Sequence, residues 1–181
     1  DMGFIPDVRR IIELLPKKRQ SLFFSATLPR EVQRLAQTML TDPRHVAVEP
    51  ESGHTPRIEQ RVLFVDKESK TPLLLSLLED PAIERALVFT RTKHRANRLA
   101  EQLQKGHIKA DAIHGNKTQA ARERALELFH SGRIRVLVAT DIAARGIDVD
   151  DITHVINFEL PNEPESYVHR IGRTARMGKG G

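Results

Sequence analysis

Short apolar runs alternate along the chain with longer segments whose apolar residues recur at helical spacing. This spacing predicts helices in DVRRIIELLP and PREVQRLAQTML, whereas SLFF and HVAVE have the pattern of strands. Beyond residue 58 the alternation becomes regular. The strands predicted there are EQRVLFVD, RALVFT, IKADAIH, IRVLVAT and THVINF, and the helices are KTPLLLSLLED, KHRANRLAEQLQK, TQAARERALELFHS and PESYVHRIGRTAR. Strands that alternate with helices indicate right-handed βαβ crossovers and an α/β fold with a doubly wound, mostly parallel sheet.

One stretch without any period interrupts this pattern. Residues 49–58, EPESGHTPRI, are rich in proline, glycine and charge, which is typical of a linker. We therefore expect the chain to divide into residues 1–48, a linker at 49–58 and a second domain at 59–181.

The charge balance favours an anionic partner. Lysine and arginine number 29 against 24 aspartates and glutamates, which gives a formal net charge of +5. A modest positive field favours nucleic acid or another polyanion, although many basic proteins bind neither. Seven Phe, one Tyr and no Trp leave few aromatic rings to stack on bases. If the chain binds nucleic acid, we expect it to contact the phosphate backbone.

The chain has no cysteine. Disulfides, thiolate catalysis and cysteine-bound zinc are therefore excluded. This composition is compatible with a reducing cytosol, and we expect a cytoplasmic protein. No apolar run is long enough to cross a membrane and the first residues lack a signal-peptide pattern, so no membrane partner is expected.

Residues that directly follow the strands are the candidate site, because ligands bind beyond the carboxyl ends of the strands in doubly wound sheets. After ALVF come Thr90, Arg91, Thr92 and Lys93. Thr92 is a candidate N-cap, and two cations beside free helical N–H groups would suit an anion. A solvated loop is an equally good interpretation of these four residues alone.

The segment HGNKTQAAR follows the next predicted strand. Gly115 permits a close approach of another backbone or an unusual dihedral. Gln119 and Arg122 lie three positions apart near a helix start, where an amide, a guanidinium and the helix dipole would converge on a phosphate. A solvated first turn is the alternative.

A polar loop with a glycine, TDIAARGIDVDD at residues 140–151, follows the strand VLVA. Such a loop at a strand's carboxyl end suits ligand contact better than packing. Two of its four carboxylates, Asp141 and Asp148, flank Arg145, whereas Asp150 and Asp151 are better explained as a solvated turn. Asp148 could accept hydrogen bonds from a ribose hydroxyl.

Three arginines at equal spacing mark the segment YVHRIGRTARMG, residues 167–178. Val168 and the isoleucine three positions later predict the buried side of a helix, while Arg170, Arg173 and Arg176 follow their own spacing on another side. Like charges at this spacing repel one another unless an anion intervenes. Arginine forks match phosphate oxygens in geometry, although three solvated arginines are also possible.

Several familiar motifs are absent from the sequence. There is no G-x-x-x-x-G-K-[ST], G-x-G-x-x-G, H-E-x-x-H or G-x-S-x-G, and no nucleophile–base pair can be assigned. The histidines are scattered, so no metal site is predicted. The chain therefore offers phosphate-facing arginines without the loop that would hold the phosphates and magnesium of a nucleotide.

Five segments together resemble the motifs of DEAD-box ATP-dependent RNA helicases. The segments are SAT at 25–27, LVFTRTK at 87–93, HGNKTQAAR at 114–122, VATDIAARGIDV at 138–149 and YVHRIGRTARMG at 167–178. They occur in the same order as in that family and span essentially the whole chain. The last two segments are highly specific, whereas SAT alone would mean little. The sequence as a whole is most similar to the bacterial RhlE-like branch.

The resemblance implies a RecA-like fold of the P-loop NTPase type, with helices on both faces of the sheet. Two such domains would be joined by a linker, with ATP in the cleft and single-stranded RNA across both. Residues 1–48 would be the C-terminal remnant of the first domain, and 59–181 the second domain, truncated before its final strand. The Walker A and D-E-A-D motifs of the first domain, which hold ATP with Mg²⁺, would precede residue 1.

The resemblance also implies roles for individual residues. Arg173 and Arg176 would be catalytic arginine fingers that meet the γ-phosphate of ATP, and Asp148 would contact its ribose. Interdomain coupling is implied for Ser25, Thr27, His169 and Arg170. Contacts with the RNA backbone are implied for Thr90, Arg91, Gly115, Gln119, Arg122 and Thr140.

We therefore expect the intact enzyme to bind ATP and RNA, and to remodel or unwind RNA duplexes using ATP hydrolysis. This chain alone should be inactive as an ATPase, because the arginine fingers and the phosphate-binding loop lie on different domains. Two rival hypotheses are a non-catalytic RNA-binding or scaffold module that never meets ATP, and a helicase-type enzyme that acts on DNA.

Overall fold

The structure, a computed structural model, describes residues 4–25, 28, 30–47, 58–145, 147, 149 and 151–175. The chain divides into two compact units, Asp1–Glu49 and Pro50–Gly181. None of the described helices combines the length and apolarity needed to cross a membrane.

The described residues of the first unit form two helices, α1 (Ile5–Leu14) and α2 (Arg30–Met39), where the sequence predicts them. The two predicted strands are wrong for the residues described. SLFF and the described part of HVAVE form no strand, and Phe24 and Val46 are exposed. A strand needs a neighbour to receive its backbone hydrogen bonds, and the described residues of this unit contain no other strand to supply one.

The second unit is built on a four-stranded sheet. Its strands are β1 (Ala86–Phe89), β2 (Ala110–Ile113), β3 (Val136–Ala139) and β4 (His154–Asn157), in the spatial order β2-β3-β1-β4. Every neighbouring pair is parallel. The predicted α/β class with a doubly wound parallel sheet is confirmed.

Five helices accompany the sheet within the described part of this unit: α3 (Lys70–Leu77), α4 (Lys93–Lys105), α5 (Gln119–His130), α6 (Asp141–Ala144) and α7 (Pro164–Ile171). The one-turn helix α6 was not predicted, because four residues are too few to show a helical period. The last predicted helix ends earlier than expected, with Gly172 as its C-cap. Thr92 caps α4 as predicted, since its side chain accepts a hydrogen bond from the N–H of Arg95.

Alternate residues of β1 point into two separate apolar layers. Ala86 and Val88 pack in a core with residues of α3 and α4, including Leu99. Leu87 and Phe89 pack on the opposite face in a core that also contains Phe129 of α5 and residues of α6. Helices therefore cover both faces of the sheet, which explains the unbroken apolar runs of its central strands.

The strand predicted from EQRVLFVD does not form. Residues 58–66 have no strand structure, and Phe64 is 98% exposed. The alternating apolar pattern is present, but a pattern alone does not supply a neighbouring strand. β4 pairs with β1 on one side, and the described residues place no strand on its other side.

The two-layer core generates a stability prediction. Phe129→Ala should lower the free energy of unfolding by about 3 to 5 kcal/mol, because the buried ring leaves a cavity in a tightly packed layer. Phe64→Ala is the matched control and should stay within about 0.5 kcal/mol of the parent. Urea unfolding followed by circular dichroism measures both. Equal losses in the two variants would contradict the assignment of Phe129 to the core.

Candidate functional site

The register of the sheet brings the ends of all four strands to one edge. Phe89, the last residue of β1, lies opposite Ala139 of β3 and Asn157 of β4, and Ile113 of β2 also lies opposite Ala139. The loops that follow the four strands therefore start side by side. Most of the residues that the sequence singled out belong to these loops or to the helices that follow them.

At this edge, all three guanidinium nitrogens of Arg170 of α7 are hydrogen-bonded. The residue is only 2% exposed. Its Nε and Nη2 donate to the two carboxylate oxygens of Asp141 at 2.6 and 2.8 Å. Its Nη1 donates to Asn157 Oδ1 at 2.8 Å and to the carbonyl oxygen of Glu159 at 2.6 Å.

The same guanidinium lies over the ring of Phe89, 4.8 Å from its centroid. A buried arginine is tolerated only when its charge is paired and its donors are bonded, and this one meets both conditions. We call Arg170, Asp141, Asn157, Glu159 and Phe89 the Arg170 cluster. It joins β1, β4, α6 and α7 at the carboxyl edge of the sheet.

This geometry corrects the sequence interpretation of the three arginines. Arg170 does not share an exposed side with Arg173, because it is buried and its anion is Asp141 of the same unit. Val168, which the spacing assigned to the buried side, is 54% exposed. The helical period was correct but its orientation was wrong, since the pairing with Asp141 and the ring of Phe89 turn the arginine inward.

A shallow cleft lies directly above the Arg170 cluster. Besides Asp141, Arg170 and Phe89, its lining consists of Ala144, Arg145, Ser166, His169 and Arg173. Arg173 is partly exposed and donates from Nη1 to the carbonyl oxygen of Ile147 at 3.0 Å. Arg145, His169 and Arg173 supply the basic side chains of the cleft, and the carboxylate of Asp141 is paired with Arg170. Two predicted nucleotide residues, Asp148 and Arg176, lie outside the described residues.

The loop between β1 and α4 is held by a residue that the sequence did not reveal. The buried carboxylate of Glu159 accepts the backbone N–H of Arg91 at 2.8 Å and forms an ion pair with Arg95. The side chain of Arg91 is exposed and donates to Asn162 Oδ1 at 3.3 Å. The only sequence signal was an acidic residue just beyond a strand end.

Thr90 lies at the start of the same loop, and its RNA contact stays a prediction. Its side chain is completely buried, and its hydroxyl donates to the carbonyl oxygen of Thr92 at 3.3 Å. Thr90 shapes the loop from which Arg91 projects.

A second group of candidates lies where β2 leads into α5. Gly115 is exposed, and no described heavy atom lies within 4 Å of the position where a Cβ would stand. Its φ is outside the left-handed region, so it offers open access to its backbone and not an unusual dihedral. Thr118 caps α5 by accepting the N–H of Ala121.

The two side chains expected to converge at the start of α5 behave differently. Gln119 donates to Glu123 Oε1 at 2.8 Å, along the exposed side of the helix. The Nε of Arg122 is buried and has no hydrogen-bond partner among the described residues. A buried donor without a partner is rare and costs free energy, so a ligand oxygen at this position would stabilise the site.

The remaining candidates are less informative. Thr140 is the partly buried N-cap residue of α6, without a side-chain capping bond. Ser25 is exposed in the first unit, and Thr27 lies outside the described residues. The coupling role assigned to these two residues together with His169 and Arg170 stays a prediction. Any contribution of Arg170 would have to pass through its neighbours, since its guanidinium is buried.

Comparisons with known proteins place the chain among helicases. Residues 69–178 match the family described as the helicase conserved C-terminal domain. Over all 181 residues the chain is 48% identical to the DEAD-box ATP-dependent RNA helicase CshA of Bacillus subtilis and covers 37% of that protein. The CshA of Bacillus cereus is 46% identical, with 34% of its length covered. The chain thus spans about a third of the length of these curated relatives.

Solved structures give the same result for the fold. Saccharomyces cerevisiae Dbp5 bound to RNA and ADP BeF3 matches the whole chain with a TM-score of 0.83 at 27% identity, over 48% of the Dbp5 chain. A DEAD box protein from Methanococcus jannaschii matches 99% of this chain with a TM-score of 0.65 at 42% identity, again over 48% of its own length.

The Arg170 cluster generates the prediction for this site. Asp141→Ala should lower the free energy of unfolding by about 3 kcal/mol, because it leaves a buried guanidinium without its counter-charge. We choose the low end of the usual range because the side chain of Asp141 is itself 31% exposed. Glu59→Gln, which breaks an exposed ion pair with Arg61, is the control and should change stability by less than about 1 kcal/mol. Urea unfolding measures both, and a loss in Asp141→Ala no larger than that of the control would contradict the structural role of the cluster.

Proposed function

The chain belongs to the DEAD-box ATP-dependent RNA helicases through its helicase conserved C-terminal domain, and we propose that the protein it belongs to remodels or unwinds RNA duplexes using ATP hydrolysis. The observation that carries the proposal is the basic cleft above the Arg170 cluster. There Arg145, His169 and Arg173 face one opening at the carboxyl edge of a parallel sheet. Clustered cations at this edge suit the phosphates of a nucleotide.

In this proposal Arg173 and Arg176 are arginine fingers. They would stabilise the negative charge that develops on the γ-phosphate of ATP, while Asp148 would bind the ribose. The position of Arg173 in the cleft supports its part, and the parts of Arg176 and Asp148 rest on the family resemblance. When bound, ATP supplies the phosphoryl group that is transferred to water.

The site fits a nucleotide's phosphates better than it fits a metal ion. No group of three acidic or histidine side chains that could hold a metal occurs among the residues described in the structure. We therefore propose that Mg²⁺ is held mainly by the first RecA-like domain. Residues 1–48 would be the end of that domain, 49–58 the linker and 59–181 the second domain.

We further propose that the surface formed by Arg91, Gly115, Arg122 and Thr140 binds the RNA backbone, with Gln119 at its margin. The buried Nε of Arg122, the open backbone of Gly115 and the capped start of α5 support this assignment. Thr90 would act indirectly, through the shape of its loop. The RhlE-like branch and the cytoplasmic location stay predictions.

The arginine-finger proposal is tested in the intact protein, with both RecA-like domains present. Arg173→Ala should lower RNA-stimulated ATP hydrolysis about a thousandfold or more, the usual loss when an arginine finger is removed. Arg133→Ala is the control, because Arg133 is exposed just before β3, at the opposite edge of the sheet. Steady-state phosphate release measures both variants, and this chain alone is the blank.

Two outcomes would contradict the finger proposal. If Arg173→Ala hydrolyses ATP as fast as Arg133→Ala, the rival of a non-catalytic RNA-binding or scaffold module is favoured. Hydrolysis by this chain alone would show that its cleft needs no second domain. Equal or stronger stimulation by single-stranded DNA would favour the DNA-directed rival.

The RNA surface gives a separate prediction. Arg122→Ala should weaken the binding of single-stranded RNA to a similar degree for different sequences, because a phosphate contact carries no base information. The slope of log affinity against log salt should fall by about 0.7. Arg124→Ala, an exposed change on the opposite side of α5, should leave both the RNA affinity and the salt slope unchanged. Fluorescence anisotropy at several salt concentrations measures the RNA affinity and its salt dependence. A loss of affinity confined to one RNA sequence would contradict backbone binding.

A further inference from the structure

A buried histidine holds the turn that presents Gly115. We call residues 114–117 the His114 turn; it connects β2 to the N-cap of α5. The ring of His114 is 3% exposed. Its Nδ1 accepts the backbone N–H of Asn116 at 3.3 Å, and its Nε2 lies 2.8 Å from Oδ1 of Asn97 on α4.

These two contacts fix the protonation form of the ring. A backbone N–H can only donate, so Nδ1 must carry a lone pair and the proton must lie on Nε2. Nε2–H then donates to the side-chain oxygen of Asn97. The neutral imidazole is therefore a bridge with one donor and one acceptor, and it connects α4 to the middle of the turn.

The far end of the turn is anchored separately. The N–H of Lys117 donates to the carbonyl oxygen of His114 at 3.1 Å, and Lys117 Nζ pairs with Asp111 of β2 at 2.6 Å. Between the two anchors only Gly115 and Asn116 are exposed to solvent. The backbone of Gly115 is thus held at both sides, next to the start of α5.

We propose that neutral His114 is a positioning residue for RNA binding, which holds the Gly115 backbone and the first turn of α5 in the arrangement that receives a phosphate. This inference rests on the proposed RNA surface. The ring itself is buried, so it acts through the turn and through Asn97 and not by touching RNA.

Protonation would disrupt this bridge. A second proton on Nδ1 would face the N–H of Asn116, and the hydrogen bond would be lost. Burial lowers the pKa of His114 below its usual value, and the charges of Lys117, Lys93 and His94 lower it further, while Asp111 opposes them. The neutral form therefore dominates at neutral pH, and the bridge is lost only as the pH falls through this lowered pKa.

The sign of the pH effect separates positioning from simple attraction. Protonated histidines add positive charge, so a purely electrostatic role predicts tighter RNA binding in acid. A positioning role predicts weaker binding in acid relative to a variant that cannot titrate. His114→Gln is that variant, because glutamine keeps one donor and one acceptor and stays neutral.

The experiment measures the affinity of the intact protein, with both RecA-like domains present, for a fluorescent single-stranded uridine oligonucleotide at fixed salt. As the pH falls from about 7.5 through the lowered pKa of His114, the affinity of the parent protein should fall about fivefold relative to His114→Gln, the size expected for one lost hydrogen bond. His114→Gln should match the parent at the higher pH, whereas His114→Ala should already be weaker there. His130→Gln, at the exposed far end of α5, is the control and should keep the pH profile of the parent.

Asn97→Ala gives a second test that does not change the histidine. Asn97 is exposed on α4, and alanine favours helix, so the variant should fold. It should weaken RNA binding at neutral pH and raise the exchange rate of the Asn116 amide proton. The ¹⁵N chemical shifts of the His114 ring should show the Nε2–H form at neutral pH.

The outcomes distinguish this inference from the function on which it rests. If the parent and His114→Gln bind RNA with the same pH profile, or if the ring shows the Nδ1–H form, the positioning role is overturned and the RNA surface still stands. If neither the parent nor any variant binds the RNA at any pH, the proposed RNA surface is overturned. The positioning role of His114 in RNA binding is then overturned as well.

Discussion

The pairing of Arg170 with Asp141 is the interaction on which the functional edge of the second unit depends. A guanidinium that is 2% exposed must have a counter-charge and bonded donors. Asp141 meets the first need, and Asn157 and the carbonyl of Glu159 complete the second. These partners come from α6 and from the end of β4 and beyond. One buried side chain on α7 therefore fixes the positions of several loops that begin at different strands.

Glu159 connects the Arg170 cluster to the loop between β1 and α4. Its carbonyl oxygen bonds Arg170, and its carboxylate holds the backbone of Arg91. The loop that carries a proposed RNA contact and the helix that directly precedes Arg173, a proposed arginine finger, are thus fixed by the same residue. On the other side of the sheet edge the His114 turn has its own bridge to α4 and does not share these contacts. The edge therefore contains two separately supported surfaces, one basic cleft and one turn followed by a capped helix.

The elements of the second unit could be predicted where a local pattern was sufficient. The central strands are apolar on both faces, and α4 and α5 have apolar periodicity with a threonine at the N-cap. The predictions failed where a strand needed a partner. EQRVLFVD and SLFF have strand-like sequences, yet in the described residues they pair with nothing and Phe64 is exposed. Strand formation depends on a neighbour, and the strand's own sequence does not say whether one is available.

The sequence by itself determined the family, the order of most elements and the loops in which the candidate site residues lie, because motifs and periodicity are local. Only the tertiary structure decided that Arg170 is buried while Arg173 lines the cleft, that the side chain of Thr90 is buried, and that Glu159 and His114 support the loops. The physical reason is separation along the chain. Asp141 and Arg170 are 29 residues apart, and Glu159 and Arg91 are 68 apart. Their pairing is fixed by the order of the parallel strands, which no short pattern encodes.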